Sequence, residues 1–128
     1  MSIKDVLKFI KDKEAEFVDL RFTDPRGKLQ HLTMDSSIVD EDMLKDGVFF
    51  DGSSIAGWKA INESDMILKP DTSRFFLDPF TSHNTAVLFC DILDAVKKTP
   101  YERDPRGVAK KAEEYLKSSG VGDKAFFG

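Results

Sequence analysis

The longest nearly unbroken apolar stretch of the chain lies in its second half. It reads Thr85-Ala86-Val87-Leu88-Phe89-Cys90-Asp91-Ile92-Leu93. A run of this length is typical of a strand that is covered on both faces. The sequence therefore predicts a central strand at residues 85–93, in which Cys90 is a small core residue rather than a reactive thiol.

The remaining predicted strands are shorter. Apolar and polar residues alternate along them, or they end at turn residues. They cover residues 17–23, 29–34, 66–70 and 75–77. Pro25 and Gly27 suit a tight turn between the first two, which makes them an antiparallel hairpin. Residues 71–74 are predicted to be a turn that separates two short strands, because Pro70 cannot donate a ladder hydrogen bond.

Two helices are predicted before the central strand. Residues 3–10 carry apolar side chains at helical spacing, and Ser2 with Asp5 has the pattern of a capping box. Asp40 opens a short helical turn that Gly47 ends. Together with the strands, this pattern predicts an α+β fold with a mostly antiparallel sheet.

A further helix is predicted near the C-terminus. Asp104 is its N-cap, Pro105 is its first residue and Gly120 follows its end. Its predicted buried stripe consists of Val108, Ala109, Ala112 and Leu116. Residues 124–128 look like the start of another strand, from which we expect the natural chain to continue. We place a domain boundary before Asp104, because the preceding segment is polar and contains a proline.

Composition excludes several classes of protein. The 128 residues suffice for one domain and part of a second, and eleven phenylalanines can build a core. The net charge of −4 argues against nucleic acid and anionic membranes as partners. No apolar run approaches the ~20 residues of a membrane span. A single cysteine and the lack of a signal-peptide pattern fit the cytoplasm, and His31 and His83 lack metal-ligand spacing.

The residues from Phe50 to Asp65 are the strongest candidate for a functional segment. They begin Phe50-Asp51-Gly52-Ser53-Ser54 and include Trp58 and Glu63-Ser64-Asp65. Turn chemistry alone predicts a rigid bend in which an aspartate accepts backbone hydrogen bonds. The flanking aromatic residues and the predicted loop length favour a functional loop instead, because loops this long are uncommon without a function.

This segment resembles the N-terminal signature of glutamine synthetases. Residues 17–24, 90–92 and 103–106 also resemble the bacterial class of that family. The resemblance covers essentially the whole chain, although such enzymes are several times longer. It implies a β-grasp-like domain at residues 1–103, followed at residues 104–128 by the truncated beginning of an α+β catalytic domain.

The resemblance also implies a function. Glutamine synthetases join ammonia to glutamate through γ-glutamyl phosphate, with ATP and Mg or Mn, and assemble as homo-oligomers, commonly dodecamers of two stacked rings. Asp51 would bind and deprotonate ammonium at the site of a neighbouring subunit, with Ser54 as a second ammonium contact. Trp58 would cover that site, and Ser53 and Asp65 would support the loop. The family's metal ligands begin just after Gly128, so we expect no metal site in this segment and no activity from it alone.

Two other functions remain open on the sequence. The chain could be a stand-alone β-grasp module for protein interaction, with residues 50–65 as its interface. It could instead belong to a relative of the synthetases that assembles without catalysing. A reading frame that continues past Gly128 into an acidic strand of Glu-x-Glu type would favour the enzyme.

Overall fold

The computed structural model describes residues 1–57 and 64–128. Within these residues the chain forms three α-helices and five β-strands. The helices are α1 (Ile3–Asp12), α2 (Glu41–Asp46) and α3 (Pro105–Ser118). The strands are β1 (Phe17–Thr23), β2 (Leu29–Asp35), β3 (Val48–Asp51), β4 (Asp65–Leu77) and β5 (Thr85–Asp94). None of the described helices is long and apolar enough to cross a membrane.

The strands form one sheet with the order β2-β1-β5-β4-β3. β5 lies in the middle, parallel to β1 and antiparallel to β4. The β1–β2 and β3–β4 pairs are antiparallel. The predicted central strand, the first hairpin and the mostly antiparallel sheet are therefore confirmed.

The hydrophobic core lies between one face of the sheet and the helices α1 and α2. Successive strand residues point to opposite faces, so alternate residues of the inner strands enter this core. Its largest fully buried side chains include Leu20, Met66, Leu68, Leu88 and Ile92 from the sheet, with Val6 and Leu44 from the helices. Cys90 is 1% exposed, and burial raises the pKa of its thiol. This confirms Cys90 as a core residue.

The two early helices begin at the predicted caps, and α2 ends at the predicted glycine. Ser2 and Asp5 form a capping box, in which the Ser2 amide donates to Asp5 Oδ2 at 2.7 Å. Asp40 Oδ1 accepts the Met43 amide at 2.8 Å at the start of α2. Gly47 follows α2 with a φ of +88°, and a Cβ there would lie 2.6 Å from the carbonyl oxygen of Leu68. Glycine is therefore required at the point where α2 turns into β3.

Residues 66–77 form one strand, so the prediction of two strands separated by a turn is wrong. Pro70 pairs with Cys90 and Phe75 pairs with Leu88, with a shift of register between them. Asp71 Oδ1 accepts the Ser73 amide at 2.9 Å within that shift. Asp71 thus makes the hydrogen bond expected of a turn, but it does so within a β-bulge. The strand continues because the residues on both sides of the bulge pair with β5.

The predicted buried stripe of α3 is also wrong. The helix contacts β1 and β5 on the sheet face opposite the core, and none of its residues is buried. Val108 is 55% exposed. Ala109, Ala112 and Leu116 instead line an open cavity of about 630 Å³ that also involves Phe127. The helix forms because its local signals are correct, but nothing in residues 1–57 and 64–128 covers its apolar side as a second layer.

The predicted strand at residues 124–128 is not formed either. These residues have no regular secondary structure, and Phe126 and Phe127 are 90% and 95% exposed. A strand needs a neighbour to satisfy its backbone groups. Among the described residues no strand pairs with this segment.

Candidate functional site

The candidate loop leaves from an end of the sheet where several connections meet. Because β1 is parallel to β5, and β3 and β5 are both antiparallel to β4, Thr23, Asp51, Asp65 and Asp94 lie at the same end. We call residues 52–64 the signature loop. The β1–β2 turn and the segment that leads to α3 also start at this end, so three connections lie close together.

Asp51 is the last residue of β3 rather than part of a loop. It pairs with Asp65, the first residue of β4. The sequence did not indicate β3, because it has only four residues and pairs with a single strand at the sheet edge. The sheet therefore fixes the backbone of Asp51.

The side chain of Asp51 is held in a defined direction. Its Oδ1 accepts the Ser53 amide at 2.9 Å and the Ser53 hydroxyl at 2.6 Å. The Ser53 hydroxyl, the Ser53 amide and the Ser64 hydroxyl together hold the pKa of Asp51 below its usual range. The residue is exposed. Asp51 is therefore an ionised, oriented carboxylate that faces outward.

Gly52 is the residue that lets the loop turn immediately after Asp51. It is buried, and its amide donates to the carbonyl oxygen of Ser64 at 2.7 Å. A Cβ at this position would lie 2.3 Å from Met66 Sδ and 2.9 Å from the Ser64 oxygen. The close approach excludes a side chain, so the two ends of the signature loop are joined directly beneath Asp51.

A second aspartate has the same local chemistry at the other end of the sheet. Asp35 is the last residue of β2, and its Oδ1 accepts the Ser37 amide at 2.9 Å. Its pKa is also lowered, first by the Ser37 hydroxyl and then by the Ser37 amide. The bend at Asp51 is thus ordinary turn chemistry, and its position beside the signature loop is what sets it apart from Asp35.

The other predicted site residues are distributed around Asp51. Ser53 contacts the Asp51 carboxylate directly. Ser54 is exposed at the end of the short 3-10 turn Gly52–Ser54, and Asp65 is exposed opposite Asp51 in the register. Trp58 lies outside the described residues. The structure therefore brings Asp51, Ser53, Ser54 and Asp65 to one edge of the sheet.

Ser64 and Arg103 were not predicted to take part in the loop. The Ser64 carbonyl receives the Gly52 amide, and the Ser64 hydroxyl lowers the pKa of Asp51. Arg103 Nη1 donates to the carbonyl oxygen of Gly57 at 3.1 Å. The sequence around Ser64 and Arg103 did not indicate these contacts, because each contact joins residues that only the folded chain brings together.

A polar cluster on the sheet face opposite the core was also missed. Asp19 Oδ2 accepts Arg21 Nε at 2.7 Å, and Asp19 Oδ1 contacts His31 Nδ1 and the Thr33 hydroxyl, each at 2.8 Å. Arg21 also binds Asp78. Asp19 is 4% exposed, so these partners satisfy a buried charge. Alternation in β1 predicted only that these residues were polar.

The described residues contain no group of three His, Cys, Asp or Glu side chains that could hold a metal ion. The arrangement around Asp51 offers one fixed carboxylate with neighbouring hydroxyl groups. Such a group can bind a cation or accept a proton.

Comparison with known proteins identifies the fold and then the family. Residues 14–95 match the family model described as the β-grasp domain of glutamine synthetase. The chain is 65% identical over 124 residues to glutamine synthetase of Rhizobium meliloti, covering 97% of this chain and 26% of that protein. It is 61% identical over 125 residues to glutamine synthetase of Bradyrhizobium diazoefficiens, covering 98% and 27%. The structure of Plasmodium falciparum glutamine synthetase superimposes with a TM-score of 0.83 at 27% identity, covering 94% of this chain and 23% of the other.

The five-stranded sheet with its early helices is thus a β-grasp domain. The chain belongs to the glutamine synthetase family, a family of ligases in glutamine biosynthesis, and corresponds to its N-terminal portion. It spans about a quarter of the length of these relatives, at 26% and 27%. The match supports the enzyme interpretation of the sequence over the stand-alone module or a non-catalytic relative.

Proposed function

We propose that this chain is the N-terminal part of an ATP-dependent ligase that joins ammonia to glutamate through γ-glutamyl phosphate. Relatives at 65% and 61% identity that are called glutamine synthetase support this proposal. Because the chain spans 26–27% of them, the reaction requires residues beyond it, and the chain alone is inactive. Residues 1–103 are the β-grasp domain, and residues 104–128 begin the catalytic domain. The uncovered apolar side of α3 supports this boundary.

The single observation that carries the proposed chemistry is the orientation of Asp51. An ammonium ion that leaves water needs a nearby negative charge, and Asp51 is an ionised carboxylate whose direction is fixed by Ser53. Its exposure leaves room for a neighbouring subunit to close over it. Ser54, also exposed, supplies a neutral oxygen contact to the same cation.

The lowered pKa of Asp51 favours binding before proton transfer. A carboxylate held below its usual pKa attracts a cation well but is a weak base. Burial of the carboxylate against another subunit would raise its pKa, because desolvation disfavours the charged form. Assembly thus converts Asp51 from a cation-binding group into a base for ammonium, and such a base contributes ~10²–10⁴-fold.

The remaining loop residues protect and support this site. Trp58 covers the neighbouring site and excludes water, which would otherwise hydrolyse the acyl phosphate. Asp65 supports the loop from the first position of β4, opposite Asp51. Trp58→Ala is accordingly expected to raise phosphate release without amide formation.

ATP and Mg or Mn bind outside this chain. The described residues offer no cluster of three metal-ligating side chains, and the sequence contains no Gly-rich loop that ends in Gly-Lys-Ser or Gly-Lys-Thr. The side chains of the described part of the chain therefore do not fit these groups. The protein works in the cytoplasm as a homo-oligomer, in the form of two stacked six-membered rings, which would bring Asp51 of one subunit to the site of the next.

The test compares Asp51→Asn with Asp35→Asn in the full-length protein that carries this chain. Both changes remove an exposed carboxylate that accepts the amide two residues ahead, so Asp35→Asn controls for the loss of that local turn chemistry. Asp51→Asn is expected to lower glutamine formation by about 10²-fold or more, with far smaller changes in ATP and glutamate affinity. Asp35→Asn leaves the ammonia dependence unchanged. Equal effects of the two variants would refute the role of Asp51.

A further inference from the structure

Asp51 and Asp35 share their local chemistry but differ in the number of side chains that hold them. Each carboxylate accepts the amide of the serine two residues ahead at 2.9 Å. The hydroxyl of that serine, Ser53 or Ser37, also lowers the pKa of the aspartate. Asp51 has a further donor, because the Ser64 hydroxyl hydrogen-bonds to its carboxylate as well. Ser64 comes from the other end of the signature loop, so this contact is not part of the local turn.

The backbone of Ser64 has a fixed position relative to Asp51. The Ser64 carbonyl oxygen accepts the Gly52 amide at 2.7 Å, and the next residue, Asp65, pairs with Asp51 in the register of β3 and β4. A Cβ on Gly52 would lie 2.9 Å from the same carbonyl oxygen, so the two chain segments approach closely at this point. Ser64 thus donates to the carboxylate from a backbone that the edge of the sheet holds in place.

These contacts use most of the capacity of the Asp51 carboxylate to accept hydrogen bonds. An ionised carboxylate has about four lone-pair sites. The Ser53 amide, the Ser53 hydroxyl and the Ser64 hydroxyl are donors to this one. A cation that reaches the exposed carboxylate therefore meets about one remaining acceptor site, in one direction. An ammonium ion would direct one N–H to this site and would need partners elsewhere for its other donors.

We propose that Ser64 is a positioning residue, which together with Ser53 fixes the direction from which Asp51 accepts an N–H of ammonium. This inference rests on the proposed function. The charge of Asp51 does not depend on Ser64, because the ordinary pKa of an aspartate is about 3.9 and an exposed carboxyl is ionised at neutral pH. Ser64 acts instead by restricting the rotation of the carboxylate group. Without it, Asp51 keeps its charge and its bonds to Ser53 but presents its remaining acceptor site less consistently.

The first experiment follows the aspartate side-chain carboxyls of the 128-residue chain by ¹³C NMR during an acid titration. Ser64→Ala should raise the pKa of Asp51 toward its ordinary value and leave the pKa of Asp35 unchanged. Ser37→Ala is the matched control, because it removes a serine hydroxyl from Asp35, and it should raise the pKa of Asp35 alone. Ser64→Thr keeps a hydroxyl and should preserve the low pKa of Asp51. An unmoved Asp51 pKa in Ser64→Ala would overturn the inference.

The second experiment measures the steady-state kinetics of the full-length protein at neutral pH. Ser64→Ala should raise the ammonia KM about fivefold, the order expected for loss of one hydrogen bond, and leave the KM values for ATP and glutamate unchanged. Ser64→Thr should restore most of the ammonia KM. Ser37→Ala should leave all three values as in the wild type.

The inference and the proposed function fail in different ways. An unchanged ammonia KM in Ser64→Ala, while Asp51→Asn abolishes amide formation, refutes the role of Ser64 and leaves the proposed function intact. If Ser64→Ala raises the KM values for ATP and glutamate as much as that for ammonia, Ser64 only supports the fold, and the inference is wrong. If Asp51→Asn has no effect, the proposed function fails and the inference fails with it.

Discussion

Asp104 Oδ2 accepts the amide of Ile92 at 3.0 Å, which joins the start of α3 to the central strand of the sheet. The other oxygen, Oδ1, accepts the Arg106 amide at 3.1 Å as the helix cap. Burial raises the pKa of this carboxyl even though both amides favour its charged form. One buried side chain thus satisfies two backbone groups in different elements.

Asp104→Ala should therefore cost more than the loss of an ordinary cap. We expect a fall of about 3 kcal/mol in the free energy of unfolding, because the cap is lost and the buried Ile92 amide is left without its acceptor. Asp40→Ala removes the exposed cap of α2 and should cost about 1 kcal/mol. Urea unfolding of the two variants gives both values, and equal losses would contradict the second role of Asp104.

Two glycine-to-alanine changes should have opposite signs. At Gly52 a Cβ would lie 2.3 Å from Met66 Sδ and 2.9 Å from the Ser64 oxygen, so Gly52→Ala should destabilise the fold by about 1–3 kcal/mol. At Gly107, in the first turn of α3, the nearest atoms would lie at 3.7 Å. Gly107→Ala should stabilise the fold by up to about 1 kcal/mol, because alanine favours helix. Melting temperatures of both variants measure these changes in stability, and a stabilising Gly52→Ala or a destabilising Gly107→Ala would contradict the prediction.

Asp19 should contribute to the acid sensitivity of the fold. Burial alone would raise its pKa, but hydrogen bonds from Arg21, His31 and Thr33 outweigh burial and lower it. A carboxyl with a lowered pKa contributes stability above its unfolded value of about 3.9, and this contribution is lost as the pH falls through the folded value.

Asp19→Asn should thus destabilise the chain at pH 7 by about 1–3 kcal/mol and flatten the fall in stability below pH 4. Urea unfolding of the variant and the wild type at a series of acid pH values measures the slope. Parallel curves for the two proteins would show that Asp19 is not a source of the acid sensitivity.

The attachment of α3 should depend on charge. Arg106 Nε binds Asp91 Oδ1 at 2.8 Å, Arg106 also binds Asp71, and Lys110 Nζ lies 2.5 Å from Asp91 Oδ2. Since none of the helix residues is buried, these ion pairs and Asp104 hold α3 on the sheet. A lysine in place of Arg106 cannot contact Asp91 and Asp71 together as the planar guanidinium does.

We expect Arg106→Lys to speed hydrogen exchange of the α3 amides by roughly the factor that corresponds to 1 kcal/mol, because the ion pairs of Arg106 are partly exposed. The amides of β5 should stay protected. Raising the salt concentration should have the same effect on the wild type. Lys117→Gln, which removes an exposed pair with Glu113 within the helix, is the control. Faster exchange throughout the sheet would mean that α3 does not move independently.

Features set by neighbouring residues could be predicted from the sequence. The capping box of α1, the β1–β2 hairpin and the Asp51 bend depend on residues a few positions apart, and the structure contains all three. The central strand could be predicted because a strand that is covered on both faces has a nearly continuous apolar sequence.

Features that depend on distant pairing were not predictable in the same way. β3 is a strand because β4 lies beside it, and the bend at Asp71 becomes a bulge because both of its flanks meet β5. Arg103 has a partner 46 residues away, and the Asp19 cluster joins residues up to 57 positions apart; their residue types alone do not specify those partners. The apolar spacing in α3 predicted the helix but not whether anything covers it.

The single thiol of this chain, Cys90, sits in the closed interior of the sheet. An alkylating reagent can reach it only during moments when the interior opens, since a buried, protonated sulfur is inert. The rate at which Cys90 is alkylated in plain buffer therefore measures how often the core opens, without denaturant or an engineered probe.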